Sequence, residues 1–143
     1  MNETKIKVPR GIRNNNPLNI RKGNNWKGER PNQTDKAFEE FESMTMGIRA
    51  ALILMRNHID GHRHTRPRLN TIRKLVSVWA PPSENATEEY IQYVARHVGM
   101  SPDEIINPRD RKQLTGIARE MAYVECGQYL DPKLFDNAYD LIV

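Results

Sequence analysis

Apolar residues recur at helical spacing from about residue 45 to the end of the chain, and this pattern constrains the fold more than any other feature. In the segment 46–60 they lie on one helical face, and Gly61 follows as a helix stop. A second stripe runs from Ile72 to Trp79 and must end at Pro81-Pro82. We therefore predict a succession of helices that face a common core.

Capping signals divide the second half of the chain. The sequences Asn85-Ala-Thr-Glu88 and Ser101-Pro-Asp-Glu104 have the spacing of a capping box, and they predict the starts of one helix and of a second, short one. Asn107-Pro108 predicts the start of the longest helix, with Gly127 just past its end. A last turn or helix is expected near residues 132–142.

The first 45 residues have a different character. They are rich in Asn, Gly, Pro and Lys and carry only short apolar runs, so they predict loops and a small two- or three-stranded sheet. The expected fold class is therefore α+β, mainly α, with a small N-terminal β element. At 143 residues the chain fits one domain over residues 1–143, of which 1–9 could be flexible.

Composition and charge limit the classes of function. Cys126 is the only cysteine, which excludes an intramolecular disulfide and a cysteine zinc cage. The chain start has no apolar signal-peptide core and no stretch is long enough to span a bilayer, so we expect a soluble protein without a signal peptide or a membrane span. The net charge of +4 favours an anionic partner such as nucleic acid, anionic lipid or an acidic cell wall, without choosing among them.

A basic, amide-rich run from Arg10 to Arg21 lies ahead of the helices and leads into Trp26. Its four asparagines are Asn14, Asn15, Asn16 and Asn19. Their amides offer donors and acceptors together, which sugar hydroxyls and N-acetyl groups can use. The alternative is a turn, because Asn tolerates the left-handed conformation and bonds its own backbone. Both roles can coexist in one loop.

Seven short motifs, taken in order, resemble a family of phage and prophage virion structural proteins. They are Asn15-Asn-Pro-x-Asn-Ile-Arg21, Trp26-x-Gly28, Phe38-x-x-Phe41-x-Ser43, Gly47-Ile-Arg-Ala50, Trp79-Ala-Pro-Pro-Ser-Glu-Asn85, Thr87-x-x-Tyr90 and Glu125-x-Gly127. The resemblance covers about residues 10–127. One position departs from it, because such sequences typically carry Gly where this chain has Leu18. Leu rarely adopts positive φ, so the loop backbone could differ there.

The resemblance implies a fold similar to lysozyme-like peptidoglycan hydrolases of the lytic transglycosylase or muramidase type, in which helices surround a small sheet beside a sugar-binding cleft. It implies bacterial peptidoglycan as the partner, other virion proteins as further partners, and no cofactor. The expected location is the phage virion, or the bacterial cytoplasm before release, with action in the periplasm or cell wall.

Cleavage of a glycosidic bond needs at least one carboxylic acid that protonates the leaving oxygen. In lysozyme-like enzymes this Glu ends a helix before the sheet, but too few residues precede Asn14 for such a helix here. Glu125 is one catalytic candidate, since it continues an apolar helix face in a last turn, where the helix dipole raises a carboxyl pKa. Its alternatives are a structural ion pair and a solvent-facing helix end. Glu84, in a Pro-rich loop, is the second candidate, with an ordinary charge near a helix N-terminus as its alternative.

A third acidic group is less suited to catalysis, because acidic runs are usually solvated. It consists of Glu39, Glu40 and Glu42. The predicted substrate-binding residues are Asn15, Asn16, Asn19, Arg21, Trp26, Asn85 and Tyr90. Arg13 or Arg21 could hold a lactyl or peptide carboxylate, or an acidic neighbour, and Arg21 is favoured by its place at the end of the motif. Trp26 and Trp79 could stack on sugar faces, but Trp79 completes an apolar stripe and is predicted to be core.

Three other interpretations need weighing. A non-catalytic virion part, such as a baseplate or spike component, would keep a glycan-binding shape without turnover. A nucleic-acid binder is suggested by the charge and by the basic run 62–68, but that run has no interleaved aromatic residues. His58, His62 and His64 invite a metal site, but Gly61 interrupts their helix and no acidic ligand is arranged with them, so no metal is predicted.

Overall fold

The computed structural model describes residues 8–61, 67–83 and 85–143. Six α-helices lie within these ranges. They are α1 Arg10–Arg13, α2 Met44–Asp60, α3 Ile72–Trp79, α4 Thr87–Val98, α5 Arg111–Cys126 and α6 Pro132–Asp140. The prediction of a mainly helical chain is confirmed. Among the described residues, no helix is long and apolar enough to cross a membrane.

Several helix ends follow directly from local sequence. Ser43 caps α2, with its hydroxyl accepting a hydrogen bond from the Met46 amide at 3.2 Å, and Thr71 caps α3 in the same way. Gly61, Gly99 and Gly127 end α2, α4 and α5 in the left-handed conformation that glycine adopts without steric cost. The pattern of stops read from the sequence is therefore correct at these positions.

The predicted capping box at Asn85 is wrong. Helix α4 begins at Thr87 after Ala86, which has no capping side chain, and the Asn85 amide instead donates to the Pro81 carbonyl at 3.2 Å. The Thr87 hydroxyl donates to the Ala80 carbonyl at 2.6 Å. These bonds connect the start of α4 to the end of α3. They hold the start of α4 in place of a capping side chain.

The segment between α4 and α5 also differs from expectation. Residues 101–104 form a turn rather than a short helix. The Ile106 amide donates to the Asn70 carbonyl at 2.9 Å, which holds the segment extended against a distant part of the chain. Helix α5 consequently starts at Arg111, capped by Asp110, and at 16 residues it is slightly shorter than α2 at 17.

A small sheet was predicted in the N-terminal segment. The described residues there form only two isolated antiparallel bridges, one between Arg21 and Phe38 and one between Glu29 and Phe41. Side chains take backbone groups that a longer ladder would use. The Glu40 backbone amide, for example, donates to the Gln33 side-chain oxygen at 3.0 Å. Such side-chain bonds compete with regular strand pairing, so the segment stays a bridged loop rather than a sheet.

Helix α2 lies at the centre of the core. It packs against α3, α5 and α6, and α5 in turn contacts α1, α4 and α6. The largest fully buried side chains are Leu18, Phe41, Ile48, Leu52, Met55, Ile72, Leu75, Ile91, Leu114, Ile117, Met121 and Phe135. Because Leu18 and Phe41 belong to this set, the N-terminal segment shares one core with the helices.

The amide-rich loop is seated on α2 at a glycine. A Cβ atom added at Gly47 would lie 1.7 Å from the Asn15 carbonyl oxygen, so only glycine permits this approach. Asn15 and Asn19 are the loop residues with positive φ, at 51° and 53°. Leu18 is not among them, and its side chain fills the core. The backbone at position 18 therefore does not require glycine.

Candidate functional site

A groove of about 240 Å³ opens where the amide-rich loop meets the ends of α3 and α5. Its lining residues are Leu18, Asn19, Arg21, Phe38, Trp79, Ala80, Asn85 and Glu125. The groove therefore brings together Asn19, Arg21, Asn85 and Glu125 from the residues singled out in the sequence. Glu84, the second acid candidate, lies outside the described residues.

Glu125 occupies the last turn of α5 and turns toward the loop. Its carboxylate accepts a hydrogen bond from the Asn19 amide at 3.1 Å and a second one from the Tyr90 hydroxyl. Burial raises the Glu125 pKa, and the two hydrogen bonds oppose this rise without cancelling it. The sequence also predicted a raised Glu125 pKa. The largest cause is burial, however, rather than the helix dipole. The result is a carboxyl group that keeps its proton to higher pH than an ordinary Glu.

Tyr90 lies beneath Glu125 rather than in the groove. It is buried, and its hydroxyl also approaches the Met121 carbonyl at 3.4 Å. Burial, followed by the neighbouring Glu125 carboxylate, raises the Tyr90 pKa well above its usual value, so the hydroxyl remains a donor. Tyr90, predicted to bind substrate, is therefore buried next to Glu125 and is not among the residues that line the groove.

Two asparagines of the loop use their amides inside the protein. The Asn16 amide nitrogen donates to the carbonyls of Ile20 and Glu39 at 2.9 and 3.0 Å, and its oxygen accepts from the Ile20 amide at 2.9 Å. The Asn15 amide donates to the Phe41 carbonyl at 3.1 Å. We leave both residues out of the proposed site, since these bonds hold the loop in shape.

The two tryptophans are both partly buried against the core, but they differ in whether they line the groove. Trp26 is partly buried against the core and does not line the groove. Trp79, predicted to be core, lines the groove, and its indole nitrogen donates to the Leu18 carbonyl at 2.9 Å. Its helical spacing concealed this role, because a residue at the end of an apolar stripe can also border a cavity.

Arg21 and Phe38 face each other across one of the antiparallel bridges. The Arg21 guanidinium carbon lies 5.0 Å from the centroid of the Phe38 ring, within the range of a cation–π contact. Phe38 was not singled out in the sequence as a site residue. Its place in the Phe38-x-x-Phe41-x-Ser43 motif was the feature that could have indicated a role. The contact with Arg21 could not be predicted, because it forms only when the chain folds back on itself.

Glu39 and Glu40 are buried, which contradicts the expectation of a solvated acidic face. The Glu40 carboxylate accepts bonds from the backbone of Thr34 and Asp35, while the Glu39 carboxyl bonds to Glu29. Burial, with the Glu29 contact, raises the Glu39 pKa to about 7. Neither residue lines the groove, so neither belongs to the candidate site.

The described residues contain no group of three or more His, Cys, Asp or Glu side chains that could hold a metal ion. His58 lies edge-on to Trp79, with 6.3 Å between ring centroids. His62, His64 and the basic residues up to position 66 lie outside the described residues, so the structure tests neither a metal site nor a nucleic-acid site there.

These features define a small, mainly helical domain with an open polar groove, in which Glu125 is the one carboxyl among the described lining residues. No protein-family model matches the chain. The chain is similar to a phage protein, Protein P5 of Pseudoalteromonas phage PM2, with 38% identity over 102 residues. The matched region is 68% of this chain and 61% of Protein P5, so the chain spans about three fifths of that relative.

Proposed function

We propose that this chain is a phage virion protein whose groove binds the glycan strand of bacterial peptidoglycan. Similarity to Protein P5 of phage PM2 supports the phage origin. The motif series between Asn15 and Gly127 supports a virion role, and its lysozyme-like implication supports a glycan ligand. The observation that carries the binding proposal is the groove in which Asn19, Trp79 and Glu125 converge.

The chemistry of the groove suits a glycan. The Asn19 amide and the Glu125 carboxyl provide donors and acceptors for hydroxyl and N-acetyl groups. Trp79 and Phe38 provide aromatic surface beside them, as in sites where a few polar groups orient a ligand against apolar walls. Binding would need neither a metal nor a cofactor.

Wall pull-down and particle analysis test this proposal. We expect the purified protein to sediment with bacterial walls and to be released by peptide-free glycan strands. Asn19→Gly should weaken sedimentation several-fold, because it removes the groove amide while tolerating the positive φ at this position. Asn137→Ala changes an exposed amide on α6 away from the groove and should leave sedimentation unchanged.

Mass spectrometry of purified phage particles should detect the chain. Its absence from particles would contradict the virion role, and equal sedimentation of both variants would contradict the groove.

Cleavage of the bound glycan is a second candidate function, favoured by the protonated state that burial promotes at Glu125. A general acid must hold a proton that it can donate to the leaving oxygen. A lytic transglycosylase can act with a single carboxyl, because the sugar's own hydroxyl attacks. The groove matches this requirement among its described lining residues.

Digestion of walls by the Glu125→Gln variant tests cleavage. We expect the wild type to release anhydro-muropeptides, and the variant to lose about 10²-fold or more of this activity while still sedimenting with walls. Activity of the wild type should fall as pH rises through the raised Glu125 pKa, because the acid then loses its proton. Glu89→Gln, an exposed residue of α4, is the control. Products with reducing ends would indicate hydrolysis, and unchanged products from Glu125→Gln would remove Glu125 as the acid.

A further inference from the structure

Arg21 lines the groove with no carboxylate partner among the described residues. Its side chain is exposed, and its guanidinium lies over Phe38. The ion pairs found in the described parts of the chain are made by other arginines, namely Arg10, Arg30, Arg73, Arg109 and Arg111. Arg21 therefore presents a positive charge to the groove, and no acid among the described residues uses its hydrogen-bonding capacity.

The acid next to this aromatic contact is already occupied. Asp35 accepts two bonds from Arg10, at 2.5 and 2.6 Å, and one from Asn14 at 2.9 Å. It also accepts bonds from the backbone amides of Ala37 and Phe38. These contacts, led by Arg10, hold the pKa of Asp35 well below its usual range. Asp35 thus fixes the chain at Phe38 and is not available to Arg21.

Among the described residues, the groove has one acidic side chain to offset the charge of Arg21. Glu125 is its only described acidic lining residue, and burial shifts that group toward its neutral form. The exposed Arg21 guanidinium beside a single, mostly buried acid gives this part of the groove a positive potential, which attracts an anionic ligand. Guanidinium groups bind carboxylates through two parallel hydrogen bonds, and stacking on an aromatic ring restricts the side chain before binding.

We propose that Arg21, supported by Phe38, is the specificity-determining residue of the groove and binds the carboxylate of an acidic sugar. This inference rests on the proposed glycan-binding function and narrows its ligand. The carboxylate could come from a lactyl ether on the sugar or from a uronic acid. In both cases the groove prefers a charged N-acetylated glycan to a neutral one of equal length.

Binding measurements with three tetrasaccharides test this preference. The probes are peptide-free peptidoglycan tetrasaccharide, which carries lactyl carboxylates, hyaluronan tetrasaccharide, which carries uronic acids, and neutral chitotetraose. We expect the wild type to bind at least one acidic probe roughly tenfold more tightly than chitotetraose, the effect of a hydrogen bond to a charged group. The acidic probe that gains affinity identifies the source of the carboxylate.

Variants at Arg21 separate charge from stacking. Arg21→Gln should abolish the preference for the acidic probe, while Arg21→Lys should retain part of it. Arg13→Gln, an exposed arginine outside the groove, should behave as wild type. Equal binding of all three probes by the wild type, or a preference that survives Arg21→Gln, would overturn the inference and leave glycan binding intact. Failure of every probe to bind would instead contradict the proposed function.

Discussion

Asn16 and Asn19 belong to one loop, three residues apart, yet their amides have different partners. Asn16 is fully buried and makes three hydrogen bonds to backbone groups of its own segment. Asn19 is half-buried and donates to Glu125, 106 residues away. One side chain therefore holds the loop together, and the other connects the loop to the carboxyl group in the groove.

We therefore expect substitution of Asn16 to affect mainly stability, and substitution of Asn19 to affect mainly binding. Asn16→Ala should lower the free energy of unfolding by about 2–4 kcal/mol, because it leaves buried backbone groups without partners. Asn19→Gly should cost only about 1 kcal/mol, since glycine tolerates the positive φ and one part-buried hydrogen bond is lost. Urea unfolding of both variants measures the contrast. Equal losses would show that Asn19 is also part of the loop's support.

The extended segment 37–42 presents different chemistry on its two sides. Phe38 lines the groove, whereas Glu39 is buried beside Glu29, which with burial raises the Glu39 pKa. One carboxylate oxygen of Glu39 has no hydrogen-bond partner and no access to solvent. Ionisation of Glu39 would therefore place two adjacent negative charges in a poorly solvated position, with Lys22 as the nearby cation that partly offsets them.

The Glu39 carboxyl should make stability depend on pH between about 5 and 8. Its folded pKa of about 7 is above the ordinary value of 4.5, so the folded state holds the proton more tightly, and stability is lost as pH rises through this window. We expect a loss on the order of 2 kcal/mol over this window, because one unit of pKa difference is worth about 1.4 kcal/mol.

Glu39→Gln should remove most of this loss, since an amide stays neutral and can still donate to Glu29. Thermal and urea unfolding at pH 5, 6, 7 and 8 measure the slope. Glu42→Gln, an exposed residue of the same segment, should keep the wild-type slope. A slope that persists in Glu39→Gln would assign the pH dependence to other groups.

For the whole molecule, the docking of the amide-rich loop onto the helices creates the groove. The loop carbonyl of Asn15 meets α2 at Gly47, while Leu18 and Phe41 enter the common core. Asn19 then reaches Glu125 at the end of α5, and Trp79 at the end of α3 bonds to the loop backbone. Displacement of the loop would separate the two walls of the groove.

Alanine at Gly47 should test this docking. Its Cβ would overlap the Asn15 carbonyl oxygen, so either the loop or the helix must move, and we expect a loss of at least about 2 kcal/mol in stability together with weakened glycan binding. Gly116→Ala, within α5, is the matched control. The nearest atom to its Cβ is 3.7 Å away, so it should gain about 0.5–1 kcal/mol from helix propensity. Similar stability of the two variants, measured by urea unfolding, would argue against the close approach.

Local sequence predicted those features that depend on near neighbours along the chain. The apolar stripes gave α2 and α3, and glycines marked the ends of three helices. The cap predicted at Asn85 failed because its amide bonds to the Pro81 carbonyl instead. The helix predicted after Ser101 failed because backbone groups of Pro102 and Ile106 bond to Arg73 and Asn70, far away in the chain. Glu125 was selected from its helix position, but the burial that raises its pKa could not be read from spacing.

By itself, the sequence determined that this protein is mainly helical and that an amide-rich loop precedes the helices, because periodicity and turn residues act over a few positions. Only the tertiary structure decided which asparagine faces the groove, which tryptophan borders it, and that Arg21 enters it beside Phe38. These choices depend on packing between segments far apart in the chain, as in the bond from Asn19 to Glu125. Side-chain identity is local, whereas burial and hydrogen-bond partners are properties of the folded molecule.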